Sequence, residues 1–156
     1  MAEPYEQKLP PLSAHITVSN GAAAIDFYKN AFGGTELTRH MAPDGKRIMH
    51  AALSINGGGI LMLSDDFPEY RGGKAGTPEA LGGTPTVIHL QVKDADAAFN
   101  QALAAGATVK FPLMDQFWGD RYGQVTDPFG HVWSIGAPKV KMTAEEVEAA
   151  SKVHFK

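Results

Sequence analysis

The sequence predicts an α+β fold: two βαβββ modules whose curved sheets flank a cleft. Three observations carry that prediction. The alternating stretch Ser13-Ala14-His15-Ile16-Thr17-Val18 returns 74 residues later as Thr86-Val87-Ile88-His89-Leu90-Gln91-Val92, with a histidine at the same place in each copy. Each copy runs into a helix-like apolar stripe that stops at glycine, and Gly45-Lys46-Arg47 matches Gly119-Asp120-Arg121 at the same offset. Two copies are too few for a solenoid. Two half-open sheets, each with a helix on its outer face, bury their apolar surfaces and leave their inner faces to line a cleft.

In the first module, residues 12–18 alternate: Ala14, Ile16 and Val18 face one way, Ser13, His15 and Thr17 the other, as a half-buried strand requires. Asn20 is placed to cap the next helix. Ala24, Ile25, Tyr28, Ala31 and Phe32 form one helical stripe, and Gly33-Gly34 accepts the left-handed backbone that ends it. Residues 36–41, 46–55 and 59–64 read as strands. Pro43-Asp44-Gly45 and Asn56-Gly57-Gly58 are the turns between them.

Residues 65–84 carry no period, only repeated glycine and proline. A stretch of that length is either a lid or a tether between the halves. The plan then repeats. Residues 85–92 are a strand and Asp94 caps the helix. Ala95, Ala98, Phe99, Ala102 and Leu103 are its stripe, and Gly106 ends it. Residues 108–113, 117–125 and 131–135 are strands, with Asp127-Pro128-Phe129-Gly130 as the last turn. Residues 142–152 form a separate helix, opened by a Thr143/Glu146 capping box. The expected division is an N-terminal tail at 1–10, modules at 11–64 and 85–137 joined by 65–84, and a C-terminal helix and tail at 138–156.

Composition narrows the function. With 156 residues, 44% hydrophobic and 20% charged, the chain is ordinary for a globular domain. A net charge of −3 gives no nucleic-acid footprint. The absence of cysteine removes disulfide and thiolate chemistry. Residues 1–9 lack the apolar centre of a secretory signal, and no apolar run approaches the ~20 residues of a membrane span. A cytoplasmic protein with no membrane or nucleic-acid partner is expected.

The paired modules, the strand-borne histidine opening each, and Asp127-Pro128-Phe129-Gly130-His131-Val132-Trp133 resemble the vicinal oxygen chelate superfamily, and within it the glyoxalase/bleomycin-resistance proteins. Residues 117–130, Phe-Trp-Gly-Asp-Arg-Tyr-Gly-Gln-Val-Thr-Asp-Pro-Phe-Gly, look most like the branch found in bacterial phosphonate operons, often mislabelled as a demethylubiquinone methyltransferase domain. The resemblance covers about residues 10–137. It implies a divalent ion (Zn, Ni, Fe or Mn) held by a histidine from the first strand and a glutamate from the fourth strand of each module. Carried over by position, the histidines are His15 and His89, while Met62 and Ser134 stand where the carboxylates would be. Two imidazoles fall short of the three protein ligands usual for catalytic zinc. Methionine cannot move a proton, and an unactivated serine does so poorly. His50 and Gln124, at equivalent places on the third strands, are the candidate substitutes.

Each candidate has a plainer alternative. His15 and His89 are polar linings of a wet cleft or metal ligands. His50 is a satisfied structural histidine or a cleft residue. His40 and His131, beside turns, are expected to be solvated. Phe117, Trp118 and Tyr122 floor a ligand pocket or serve sheet packing or a dimer contact. Arg121 holds an anionic group or pairs with Asp120, Asp127 or another acid. Trp133 is expected in the core under the second helix. Met49, Met62 and Met114 are adaptable packing, and a cleft-facing Met62 makes the cleft more apolar. Three functions follow: a protein binding a small, partly aromatic or amphipathic molecule without turnover and without a metal; a metal-dependent glyoxalase-like lyase, dioxygenase or epimerase with a non-standard ligand set; or an interaction protein, a homodimer with a vestigial cleft.

Overall fold

A computed structural model describes residues 8–156; residues 1–7 of the expected tail lie outside the described residues, and 8–10 have no regular secondary structure. The first half runs β1 (Ala14–Val18), α1 (Gly21–Phe32), β2 (Thr35–Met41), β3 (Ile48–Ile55) and β4 (Gly59–Asp65). The second half runs β5 (Val87–Gln91), α3 (Ala95–Ala105), β6 (Thr108–Asp115), β7 (Asp120–Thr126) and β8 (Val132–Pro138), followed by α4 (Ala144–His154). Each half makes a four-stranded sheet in the same order, β1-β4-β3-β2 and β5-β8-β7-β6. In both, the first strand pairs parallel with the fourth and the rest are antiparallel. The two sheets are separate and do not close into a barrel.

The local signals act as the residues dictate. Asn20 Oδ1 accepts the Ala23 N–H at 3.1 Å and Asp94 Oδ1 that of Ala97 at 3.0 Å. Gly33 takes the left-handed cap conformation at φ 63°, which costs glycine nothing. Thr143 and Glu146 form the reciprocal capping box. Residues 65–84 are more ordered than the lack of period suggests. They hold a 3-10 turn at Pro68–Tyr70 and a short helix α2 (Pro78–Leu81), capped by Thr77 Oγ1 with Pro78 at its first position.

One core spans both halves. The α1 stripe (Ala24, Ile25, Tyr28, Ala31) covers Ile16, Val18, Leu53, Leu61 and Leu63, while Phe99 and Ala102 of α3 cover Leu90, Val125 and Ile135. The two helices also pack on each other, and Gln101 Nε2 donates to Asn30 O at 2.8 Å. Trp133, only 1% exposed, lies 4.6 Å from the Phe32 ring and 5.4 Å from Tyr28. It is buried in the core as expected, in the register row of Val125, and its indole also meets the first helix. His131 is not solvated as expected: its Nε2 donates to Thr17 O at 2.8 Å, across the free edge of β1. Asn56 Nδ2 makes a similar cross-link to Gln91 O at 2.7 Å. No helix among the described residues is long and apolar enough to cross a membrane.

Candidate ligand-binding faces of the two sheets

Because side chains alternate along a strand, each sheet has one face under its helix and one open face. The open face of the first sheet is set by register. His15 lies beside Met62 and Thr17 beside Ser64. Met62 then pairs with Ala52, Ala52 with Thr38, and His50 with His40. The His15 and His50 rings are 5.9 Å apart, edge to face, and His50 and His40 are 6.4 Å apart. Burial pushes the His50 imidazole below its ordinary range, and the charges of His15 and His40 add to that. At the β1 end of this face a hollow of about 320 Å³ is lined by His15, Thr17 and Ser64 below and by Phe67, Tyr70 and Arg71 of the connecting segment above.

The second sheet presents His89 beside Ser134, with Gln124 paired to Ser134 and Tyr122 to Gly136. Both ring nitrogens of His89 are engaged, Nδ1 with Ser134 Oγ at 2.7 Å and Nε2 with Gln91 Oε1 at 2.8 Å. The amide oxygen only accepts, so Nε2 donates to it, while the Ser134 hydroxyl can serve Nδ1 as donor or acceptor. The imidazole stacks on Tyr122 at 6.1 Å and 19°. It can lie so close to the strand because Gly136 has no side chain: a Cβ there would sit 3.0 Å from His89 Cε1. Trp118 stands edge-on to Tyr122 at 5.5 Å, and Gln124 Nε2 donates to the Tyr122 hydroxyl at 2.9 Å.

The structure thus brings His15, His50 and Met62 together on one open face, and His89, Trp118, Tyr122, Gln124 and Ser134 on the other. It does not bring His15 and His89 into one hollow within the chain. His89 borders a separate groove of about 440 Å³ between the edges of β1 and β5, with Leu12, Ile60, Val87 and Trp133. Arg121 lies elsewhere again. Its Nε and Nη2 reach both oxygens of Asp96 on α3 at 2.8 and 2.9 Å, and its Nη1 reaches Asp115 at 3.1 Å. Phe117 contacts His154 and Phe155 at the end of α4, at 5.0 and 5.7 Å between centroids. The residues that sequence reasoning missed are Phe67, Tyr70 and Arg71. The one signal for them was the unusual length of the glycine-rich stretch in which they sit.

These residues do not fit a divalent ion. Among the described residues no group of three His, Cys, Asp or Glu side chains is arranged to hold one. The carboxylate nearest His15 in the lining is Asp65, and its two oxygens are taken by the Gly21 and Ile48 N–H groups at 2.7 and 2.6 Å. On the second sheet, both nitrogens of His89 are engaged by Ser134 and Gln91, and no carboxylate stands beside it in the register.

Comparison with known proteins places this geometry. The sequence pattern of the Glyoxalase/Bleomycin resistance protein/Dioxygenase superfamily matches residues 11–135. An uncharacterised protein of Mycobacterium bovis is 56% identical over 141 residues, covering 90% of this chain and 91% of its own. The crystal structure of TioX from Micromonospora sp. ML1 is 28% identical with a TM-score of 0.61, over 81% of this chain and 97% of that one. The fosfomycin resistance protein FosX of Listeria monocytogenes, complexed with Mn(II) and sulfate, shares the fold at 16% identity and a TM-score of 0.59, over 90% of this chain and 98% of that one.

Proposed function

The chain belongs to the Glyoxalase/Bleomycin resistance protein/Dioxygenase superfamily, and from that membership we propose that it binds a small, partly aromatic or amphipathic molecule on its open sheet faces without performing the metal-assisted glyoxalase reaction. Superfamily members bind small-molecule ligands, often use divalent metals and often act as dimers. The observation that carries the proposal is the hydrogen-bonded state of His89, whose two nitrogens are satisfied by Ser134 and Gln91. Where the resemblance implies a histidine–glutamate pair on each sheet, the register pairs here are His15–Met62 and His89–Ser134. Neither pair supplies a carboxylate, and neither supplies a strong base.

What remains is suited to recognition. Tyr122 and Trp118 offer flat rings that give contact area at low entropic cost. Gln124 and the His89 edge offer directed polar groups, and Met62 adapts its shape to an apolar body. We further propose a homodimer. The helix-covered faces of the two sheets meet in one core, which leaves both open faces outside it, where a second copy can cover them.

Thermal unfolding tests the functional reading. Zinc, nickel, iron or manganese at a hundred times the dissociation constant of a native site would raise the midpoint by about 5–10 °C. No shift is expected. A chelator-treated sample screened against small aromatic and amphipathic compounds is expected to yield stoichiometric binders whose effect is lost in Tyr122→Ala. A metal shift present in wild type and absent in His15→Ala/His89→Ala would overturn the proposal in favour of a metal-dependent lyase, dioxygenase or epimerase using His15, His89 and substitutes such as His50.

A further inference from the structure

The hollow on the first sheet differs from the face around His89 in one respect: it has a cation held over it. Arg71 donates through Nη2 to Asp66, whose other oxygen accepts the Gly76 N–H at 3.0 Å. The guanidinium lies against Gly76 so closely that a Cβ at that position would collide with it. Gly72 and Gly73, at φ 63° and 79°, turn the chain back beneath it. The wall itself is anchored from the β2–β3 turn. Arg47 donates to Asp66 O at 3.2 Å and to Glu69 at 2.6 Å, and its guanidinium lies 4.3 Å from the centre of the Phe67 ring. Asp66 and Gly76 of the connecting segment, braced by Arg47 from outside it, hold Arg71 at the hollow.

The polar groups of this hollow divide by sign. The acceptors are committed: Asp65 to two backbone N–H groups, Asp66 to Arg71 and Gly76. The uncommitted groups can all donate, the guanidinium only donating and the hydroxyls and imidazole able to accept as well. Among the described residues, Arg71 Nε and Nη1, the Thr17, Ser64 and Tyr70 hydroxyls and the His15 imidazole have no protein hydrogen bond. With Nη2 held by Asp66, Arg71 offers an oxyanion single charge-assisted bonds from Nε or Nη1, and the neighbouring hydroxyls can donate to its other oxygen. The Phe67 and Tyr70 rings, 6.0 Å apart and inclined at 36°, supply the apolar wall. The volume of about 320 Å³ suits a small organic molecule.

We propose that this hollow is the carboxylate-recognising subsite of the ligand: it takes a small planar organic acid, with Arg71 holding the carboxylate against the Thr17 and Ser64 hydroxyls. This rests on the reading of the open faces as small-molecule sites and adds the charge of what they bind.

The probes are benzoate and its neutral counterpart benzamide, titrated by NMR into the whole protein at low salt. Benzoate is expected to bind at least about tenfold tighter, with shifts at His15, Thr17 and Ser64, and to weaken as salt is added. Arg71→Gln should abolish the preference for benzoate over benzamide. Gly76→Ala should do the same while keeping the arginine, since the added methyl group expels the guanidinium and residue 76 has no left-handed backbone to strain. The amide spectrum of each variant reports whether it is folded. Equal affinities in wild type, no benzoate binding at tens of millimolar, or an undiminished preference in folded Arg71→Gln would overturn the assignment. Neutral compounds binding in the chelator-treated screen would then leave the broader reading standing; a screen with no binder of either kind would remove both.

Discussion

The residue that most ties the molecule together is Asp127, in the Asp-Pro-Phe-Gly turn. It is 4% exposed. Its Oδ1 accepts the Phe129 and His131 N–H groups at 2.9 and 3.0 Å, and its Oδ2 accepts the Tyr28 hydroxyl at 2.5 Å and Trp133 Nε1–H at 2.9 Å. Burial and the adjacent carboxylate hold the Tyr28 phenol well above its ordinary range, so it remains a donor. Removing the carboxylate strands four donors, and each unmet buried group costs roughly 1–3 kcal/mol. Asp127→Ala is therefore expected to lose at least about 4 kcal/mol of stability. Tyr28→Phe, which removes one bond to a charged group, should lose about 1.5–3 kcal/mol. Urea unfolding measures both, and a loss in Asp127→Ala no larger than in Tyr28→Phe would show that the carboxylate has no role beyond that one bond. The sequence makes the turn legible, because Asp-Pro-x-Gly has its own local chemistry. It does not reveal the partner 99 residues away, since nothing in the period of α1 distinguishes Tyr28 from its apolar neighbours. For Arg121 the sequence reading of an ion pair with an acid holds, but it does not pick out which acids. The acids near it in sequence, Asp120 and Asp127, are not its partners. Asp96 and Asp115 reach it from α3 and β6.

At the scale of elements, the junction of β1, α1, β3 and β4 depends on one glycine. Asp65 closes β4 and accepts the N–H of Gly21, the first residue of α1, together with that of Ile48, the first of β3. A carboxylate at the start of a helix is also favoured by the helix dipole. A Cβ at residue 21 would lie 2.8 Å from Asp65 Oδ2 and 3.1 Å from the Ile48 side chain. Gly21→Ala sets two effects against each other. Alanine is the better helix former by about 1 kcal/mol in a helix interior. Crowding of a packed site costs about 1–3 kcal/mol, and the backbone hydrogen bonds to Asp65 must lengthen as well. We expect crowding to win and the melting midpoint to fall by several degrees; a midpoint equal to or above wild type would mean that Asp65 moves aside freely. The elements themselves were legible from alternation, helical stripes and caps, because each is a local property of a few residues. The connecting stretch was legible only as an exception. Its 3-10 turn and α2 are too short to show a period, although Thr77-Pro78 carries the cap-then-proline signal of a helix start. What holds the stretch in place, Arg47 on Asp66 and Glu69, is a contact across the chain that no local pattern encodes.

At the scale of the whole molecule, alternation fixes which side chains share a face but says nothing of how two sheets sit relative to each other. The duplicated register predicts His15 and His89 at corresponding places, and both do lie on open faces. The common hollow expected between them is not formed within the chain, because α1 and α3 pack on one another and Tyr28, Phe32 and Trp133 fill the space between the halves. The open faces are then left with apolar groups in water. Phe111 and Met114, paired on β6 with Gln124 and Tyr122, are 54% and 56% exposed. A two-fold partner that lays its second sheet over the first sheet of its mate would cover such groups twice over, and two-fold closure is the commonest assembly. Stable interfaces bury roughly 800 Å² on each side, an area that a four-stranded face can supply. Light scattering on the full chain is expected to give twice the 16.7 kDa mass. A charge set into the apolar part of the face, Phe111→Asp, should shift the mass toward a single chain while leaving the core, and hence the far-ultraviolet spectrum, unchanged. If wild type is a single chain at hundreds of micromolar, a second copy does not cover these faces. His15 and His89 would then act in separate sites, and any ligand would have to be held by one sheet alone.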